Sequence, residues 1–295
     1  MRVSIAVYDM EKWFGGDHAA VSDLVALADR KGVDQINVGD HVVMGANLEN
    51  YPYGKFPGRS DYPWIEPLVQ LATYAGLTHS IRLATGIIIS PLRPAALLAK
   101  QLASLDVLSR GRAEIGIGVG WQREEYQACG VPWEHRHELM IEQVRVCRLL
   151  WKEAPASFKG SHIQFDGIWC MPQPVRKHIP LHFGVAASEK NIELMAELAD
   201  GWLPVAQEPG RLAASIAAIK RAFARRGRDP ESLEVRMSVS PVFKDGRRAD
   251  WDATLAQVPP LAAAGATTIR LAVAAFCRGP EDYERFLERI VQLKH

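Results

Sequence analysis

Hydrophobic residues along the chain follow two alternating rhythms. Short runs rich in β-branched residues read as strands at 2–8, 35–39, 81–89, 112–120, 180–185, 201–205, 234–243 and 267–274. Between them, apolar residues recur every three or four positions, the helical period. Leu98, Leu102 and Leu105 form one such stripe, and Met140, Val144, Cys147 and Trp151 another. Leu212, Ile216, Ile219 and Phe223 form a third, and Tyr283, Phe286, Ile290 and Leu293 a fourth. Gly227 is placed to stop the third helix and Pro280 to start the fourth. Strand and helix alternate eight times, which predicts an α/β fold, a (β/α)8 TIM barrel. A doubly wound open sheet is the alternative. Two segments exceed ordinary connections, 40–64 and 153–179. "SFKGSHIQFDG" in the second alternates like a hairpin. Both read as insertions into one domain spanning 1–295.

Charge narrows the possible partners. Thirty-five basic residues face 34 acidic ones, so nothing resembles the footprint of a nucleic-acid binder. The cluster Arg225, Arg226 and Arg228 reads as cations complementing a helix C-terminus. The four cysteines form no CxxC pair, which argues against a disulfide framework and a thiolate zinc site. No run approaches the roughly 20 apolar residues of a transmembrane helix, and the first residues do not read as a signal peptide. The expectation is a cytoplasmic protein that does not enter a membrane.

The stretch "GRAEIGIGVGWQREEYQACG" (111–130) carries the sharpest local signal. Ile115, Ile117 and Val119 point one way along the strand, Gly116, Gly118 and Gly120 the other. One face is bulky and the other is bare backbone, open to the close approach of something flat. A dinucleotide fingerprint needs GxGxxG, and Trp121 stands where the pattern breaks; a P-loop pattern also fails. Thinning of a barrel strand for tight packing remains the alternative. "ATGIIISPLRP" (84–94) places Thr85 and Gly86 in a second strand, so the two strands together predict a flat slot at the C-terminal mouth of the barrel.

These residues resemble a known family. "GDHVV", the run from Ile81 to Arg136, and "ADGWLPV" are similar to the bacterial luciferase-like flavin oxidoreductase superfamily, with the likeness extending from the first strand to the last helix. The subgroup resembled most is one expected to use the deazaflavin coenzyme F420. The resemblance implies a flavin or deazaflavin across the barrel mouth. It implies a non-proline cis peptide at Gly86–Ile87 behind the ring, with Thr85, Gly118, Gly120 and Trp121 completing the ring pocket. It also implies a phosphate at the strand-to-helix turn of Gly184, Ala186, Ala187 and Ser188, where backbone amides and a helix N-terminus attract anions. Ser188 equally suits an N-cap. Relatives more often carry two adjacent glycines there. Sugar-phosphate dehydrogenases of the superfamily carry a glutamate where this chain has Trp121, and a tryptophan near Val42 to Met44, so their substrate and acid do not transfer.

Asp40 and His41 follow the second strand, at a catalytic position of a barrel. His41 is the expected proton donor or acceptor, and Asp40 is expected to orient it or bind a cofactor hydroxyl. Both residues equally suit a turn. Arg93 and Arg136 match family positions, although ion pairing explains them as well. His182 reads as an interior histidine. Trp13, Tyr51, Tyr53, Tyr62 and Trp64 flank the mouth as an apolar substrate pocket or as loop anchors. "HELMI" lacks the second histidine of a zincin motif, and no metal is expected. The function expected is hydride transfer between F420 and a small organic substrate. The alternatives are an FMN-dependent monooxygenase and a non-catalytic flavin-binding accessory barrel. A homodimer is expected from the family.

Overall fold

The computed structural model describes residues 1–56, 58–205, 208–244 and 248–294. The strands are β1 (Arg2–Ala6), β2 (Gln35–Val38), β3 (Arg82–Thr85), β4 (Ile88–Ile89), β5 (Ala113–Gly118), β6 (Ala156–Lys159), β7 (Gln164–Ile168), β8 (Leu181–Phe183), β9 (Gly201–Trp202), β10 (Glu234–Ser238) and β11 (Thr268–Ala272). β1, β2, β3, β5, β8, β9, β10 and β11 form a closed parallel ring, because β3 pairs with both β2 and β5. β4 continues the line of β3 and pairs with β5 further along. The fold is therefore a (β/α)8 barrel. The expected strand 81–89 is interrupted at Gly86–Ile87, which is a cis peptide, at the position the family resemblance implied. β6 and β7 form the antiparallel hairpin read from the second long segment.

Helices follow the ring strands and pack their apolar stripes against it. Leu98, Leu102 and Leu105 of Ala95–Leu108 are buried, as are Met140, Val144, Cys147 and Trp151 of Arg136–Lys152. Gly227 takes φ +70° just beyond the helix Pro209–Arg225, a conformation that ends a helix cheaply only with glycine. Pro280 opens the last helix, Pro280–Val291. Among the described residues, no helix is long and apolar enough to cross a membrane.

The strand faces turned toward the helices are aliphatic, but the barrel interior is strongly polar. Register places Arg2, Gln35, Arg82 and Glu114 on inward positions near the N-terminal end, with Arg236 opposite Thr268 as Arg2 is, and His182 one pleat above Glu114. Arg2 and Arg82 both donate to the buried Glu114 carboxylate, at 2.9 and 2.6 Å. Arg236 crosses the barrel to donate to the Thr85 carbonyl at 3.0 Å and to His182 Nδ1 at 2.8 Å. Burial lowers the Arg236 guanidinium to about 10, against the attraction of Glu114. His182 is thus the interior histidine that its sequence position suggested.

Candidate functional site at the barrel mouth

Why the glycine strand is bare follows from its neighbours. After Gly86 the chain turns Ile87 inward over β5 and β8. A Cβ on Gly118 would stand 3.0 Å from Ile87 Cδ1, and one on Gly184 would stand 2.7 Å from Ile87 Cγ2. A Cβ on Gly116 would collide with the Thr85 carbonyl oxygen and come within 2.5 Å of Leu203 Cδ1. The expected flat slot is therefore not left open. Ile87 and Leu203 fill it, because the bulge between β3 and β4 needs the room that side chains on β5 would take. Any ring at the mouth would rest on Ile87 rather than on the glycines. Gly116→Val should cost about 1–3 kcal/mol of stability, since the clash is with backbone and cannot relax by rotamer change. Chemical denaturation checks this, and an unchanged midpoint would contradict the packing described.

Gly120 has φ +66° and lies against Ile89, so it turns the chain outward after β5. Trp121 then meets the long segment 40–64. Its ring lies 5.2 Å from those of both Tyr51 and Phe56, and 6.2 Å from His41. Trp64 approaches His41 edge-on at 4.9 Å, with Tyr62 behind it. The expected aromatic residues thus form one wall around His41, with Tyr53 edge-on outside Tyr51. Trp13 is the exception: it packs against Tyr283 of the last helix, because its short 3-10 segment (Met10–Phe14) lies against that helix.

His41 is held by a residue the sequence reading did not single out. Its Nδ1 lies 3.3 Å from Glu125 Oε2, and the Val42 amide donates to Glu125 Oε1 at 2.6 Å. Glu125 is fully buried on the short helix Arg123–Ala128 that follows the glycine strand. A carboxylate only accepts, so Nδ1 carries the proton and Nε2 is left for a reacting group. Glu124 and Glu125 read as ordinary acids in a first helical turn. The available signal was position: a glutamate one turn beyond a strand end at the active face.

Asp40 has a different set of partners from those expected. Its Oδ2 accepts from the Ile89 amide at 2.8 Å and from Arg93 Nη1 at 2.7 Å, and its Oδ1 accepts from Arg93 Nη2 at 3.0 Å. Arg93 also donates to Glu66 at 2.7 Å, and its carbonyl accepts from Gln143. Burial opposes the Arg93 charge, but Asp40 and Glu66 outweigh it and hold the guanidinium above its ordinary value. Asp40 therefore clamps β2 to β4 and fixes the turn that carries His41. Arg136, the other family arginine, stacks on Trp133 at 3.7 Å and donates to its carbonyl.

At the turn 184–188, the Gly184 amide donates to Ile117 and the Ser188 amide to Ala186. Ser188 caps the helix Glu189–Leu198, its side chain accepting from the Asn191 amide at 3.3 Å. The amides of Val185, Ala186 and Ala187 take part in no hydrogen bond among the described residues. That cradle of free donors at a helix start suits a phosphate. Thr85, another expected ring contact, spends its hydroxyl on the Gly116 carbonyl. No group of three or more His, Cys, Asp or Glu that could hold a metal ion occurs among the described residues.

The family model described as luciferase-like monooxygenase matches residues 8–289. The chain belongs to that family. An uncharacterized protein of Mycobacterium tuberculosis is 35% identical over 183 residues, 60% of this chain and 63% of that relative. The chain thus spans less than two thirds of that relative's length. The F420-dependent hydroxymycolic acid dehydrogenase of the same organism is 28% identical over 227 residues, 75% of this chain and 58% of the relative. Among solved structures, the monooxygenase RslO1 from Streptomyces bottropensis superposes with a TM-score of 0.79 at 21% identity, covering 100% of both chains. This last likeness bears on the fold.

Proposed function

We propose that the chain is an oxidoreductase that passes a hydride between coenzyme F420 and a small organic substrate at the barrel mouth. The observation that carries this reading is the held histidine: Glu125 fixes His41 Nδ1, and Nε2 is left at the mouth within an aromatic wall. The residues suit a flat, phosphate-bearing group. Ile87 offers an apolar platform, and the unbonded amides of Ala186 and Ala187 offer an anion cradle. When bound, a deazaflavin supplies hydride chemistry, whereas a flavin also supports reaction with oxygen.

His41 Nε2 gives or takes the proton that accompanies hydride movement at the substrate oxygen. Glu125 stabilises the charged imidazole when it forms and keeps the ring from turning. Trp64, Phe56 and Trp121 keep water from the histidine, whose side chain is 8% exposed. The likeness to the F420-dependent dehydrogenase supports the deazaflavin. The family description, luciferase-like monooxygenase, favours a second reading with FMN and oxygen. Titration with F420, FMN and their reduced forms, followed by quenching of Trp121 fluorescence, separates the two. Tighter binding of F420 is expected. Tighter binding of FMN would favour the monooxygenase, and no binding of either at micromolar concentration would remove the enzyme reading.

A further inference from the structure

Arg270, like Arg236 and unlike Arg2 and Arg82, has no carboxylate partner among the described residues. Register sets it beside Ser4 and Ser238, one pleat above Arg236, toward the C-terminal mouth. Its Nη1 donates to Asn37 Oδ1 at 2.9 Å, and its charge works against the upward push of burial on the Tyr8 hydroxyl. Tyr8 in turn lies against Gly39, the residue before Asp40 and His41. No carboxylate of the described residues forms an ion pair with Arg270. The nearby acids are committed: Asp40 to Arg93, Glu125 to His41 and the Val42 amide.

A second observation points the same way. Asn37 is 0% exposed, and its Nδ2 has no hydrogen-bond partner. The amide lies under Gly86, where a Cβ would stand 2.8 Å from Nδ2. The Ser4 hydroxyl, in register with Arg270, is also buried without a partner. A buried donor left unmatched is costly, so such a cluster in a native protein calls for an explanation.

We propose that Arg270 and the Asn37 amide form a carboxylate-binding subsite at the floor of the mouth, so that the substrate is a small organic acid with an apolar body. The carboxylate takes hydrogen bonds from Arg270 and from Asn37 Nδ2. The body lies along the wall of Tyr51, Phe56 and Trp121. This inference rests on the oxidoreductase reading for its reaction, but its binding test does not.

The test titrates the protein with phenylacetate and with its neutral counterpart phenylacetamide, following tryptophan fluorescence. F420 is titrated in parallel. Wild type should bind the acid at least about ten-fold more tightly than the amide, in keeping with the strength of charge-assisted hydrogen bonds. Arg270→Gln should lose that preference and Arg270→Lys should keep part of it. Asn37→Asp, which supplies an internal carboxylate to Arg270, should also lose it while remaining folded. F420 binding should be unchanged in all three variants. Equal binding of acid and amide to wild type overturns the proposal, as does an intact preference in Arg270→Gln. Loss of F420 along with the acid in Arg270→Gln would assign the guanidinium to the cofactor edge and overturn it too. A preference for the acid in a wild type that binds no F420 would support the subsite and count against the oxidoreductase reading alone.

Discussion

His41→Ala lowers kcat by about 10²–10⁴-fold, the usual contribution of a positioned acid–base group. Affinity for F420 should stay near wild type, because the proposed ring platform at Ile87 and the proposed anion cradle at residues 185–187 do not involve the imidazole. The loss appears in kcat and kcat/KM together, since the proton moves only in the transition state. Glu125→Gln provides the matching control. It keeps the shape of the buried side chain but loses the charge that holds the imidazole, so its activity should fall less than that of His41→Ala. Single-turnover kinetics, on a substrate found by screening, read both effects. Full activity in His41→Ala would show that the ring only packs against Trp64.

Arg93→Ala costs about 3–5 kcal/mol of stability, because it strands the Asp40 carboxylate in the interior without its partner. Asp40 is 5% exposed and Arg93 8%, so water does not readily replace the lost bonds. The damage extends beyond the pair. Arg93 also joins Glu66, which caps the helix Pro67–Leu77, and its carbonyl anchors Gln143 of the helix Arg136–Lys152. Arg93→Ala combined with Asp40→Ala should be less damaging than the sum of the single changes, since it removes the stranded charge. Urea unfolding of the two single variants and the double variant measures this coupling. Strict additivity would contradict the clamp.

Periodicity carried the fold. Strand–helix alternation is written in the spacing of Leu98, Leu102 and Leu105 as clearly as in the β-branched runs, and the barrel buried those stripes. The glycine strand was legible as a bare face, but what fills the face was not. The direction of Ile87 depends on the break between β3 and β4, and no local pattern states where a neighbouring strand will send its side chain. The pairing of His41 with Glu125 joins residues 84 positions apart, so only the closed barrel brings them together. Asp40 was legible as a site-bearing residue, yet its partner Arg93 lies 53 residues away and decides what its carboxylate does. Arg270 had a readable sign. In "TTIRLAVA" it alternates with Ile269 and Leu271, and a charge on the inward face of a barrel strand is rarely idle. For Trp13 the loop-anchor alternative holds, and sequence could not choose it because an aromatic residue in a loop looks the same whether it lines a mouth or seals a helix.

The proposed function puts a deazaflavin ring on Ile87 beneath His41. Crystals grown with F420 test it most directly. Ring density is expected against the Ile87 side chain, with His41 Nε2 facing the ring's reactive carbon and the phosphate on the amides of Ala186 and Ala187. Density for the ring elsewhere, such as in the open pocket between Trp121 and Trp133, would contradict it.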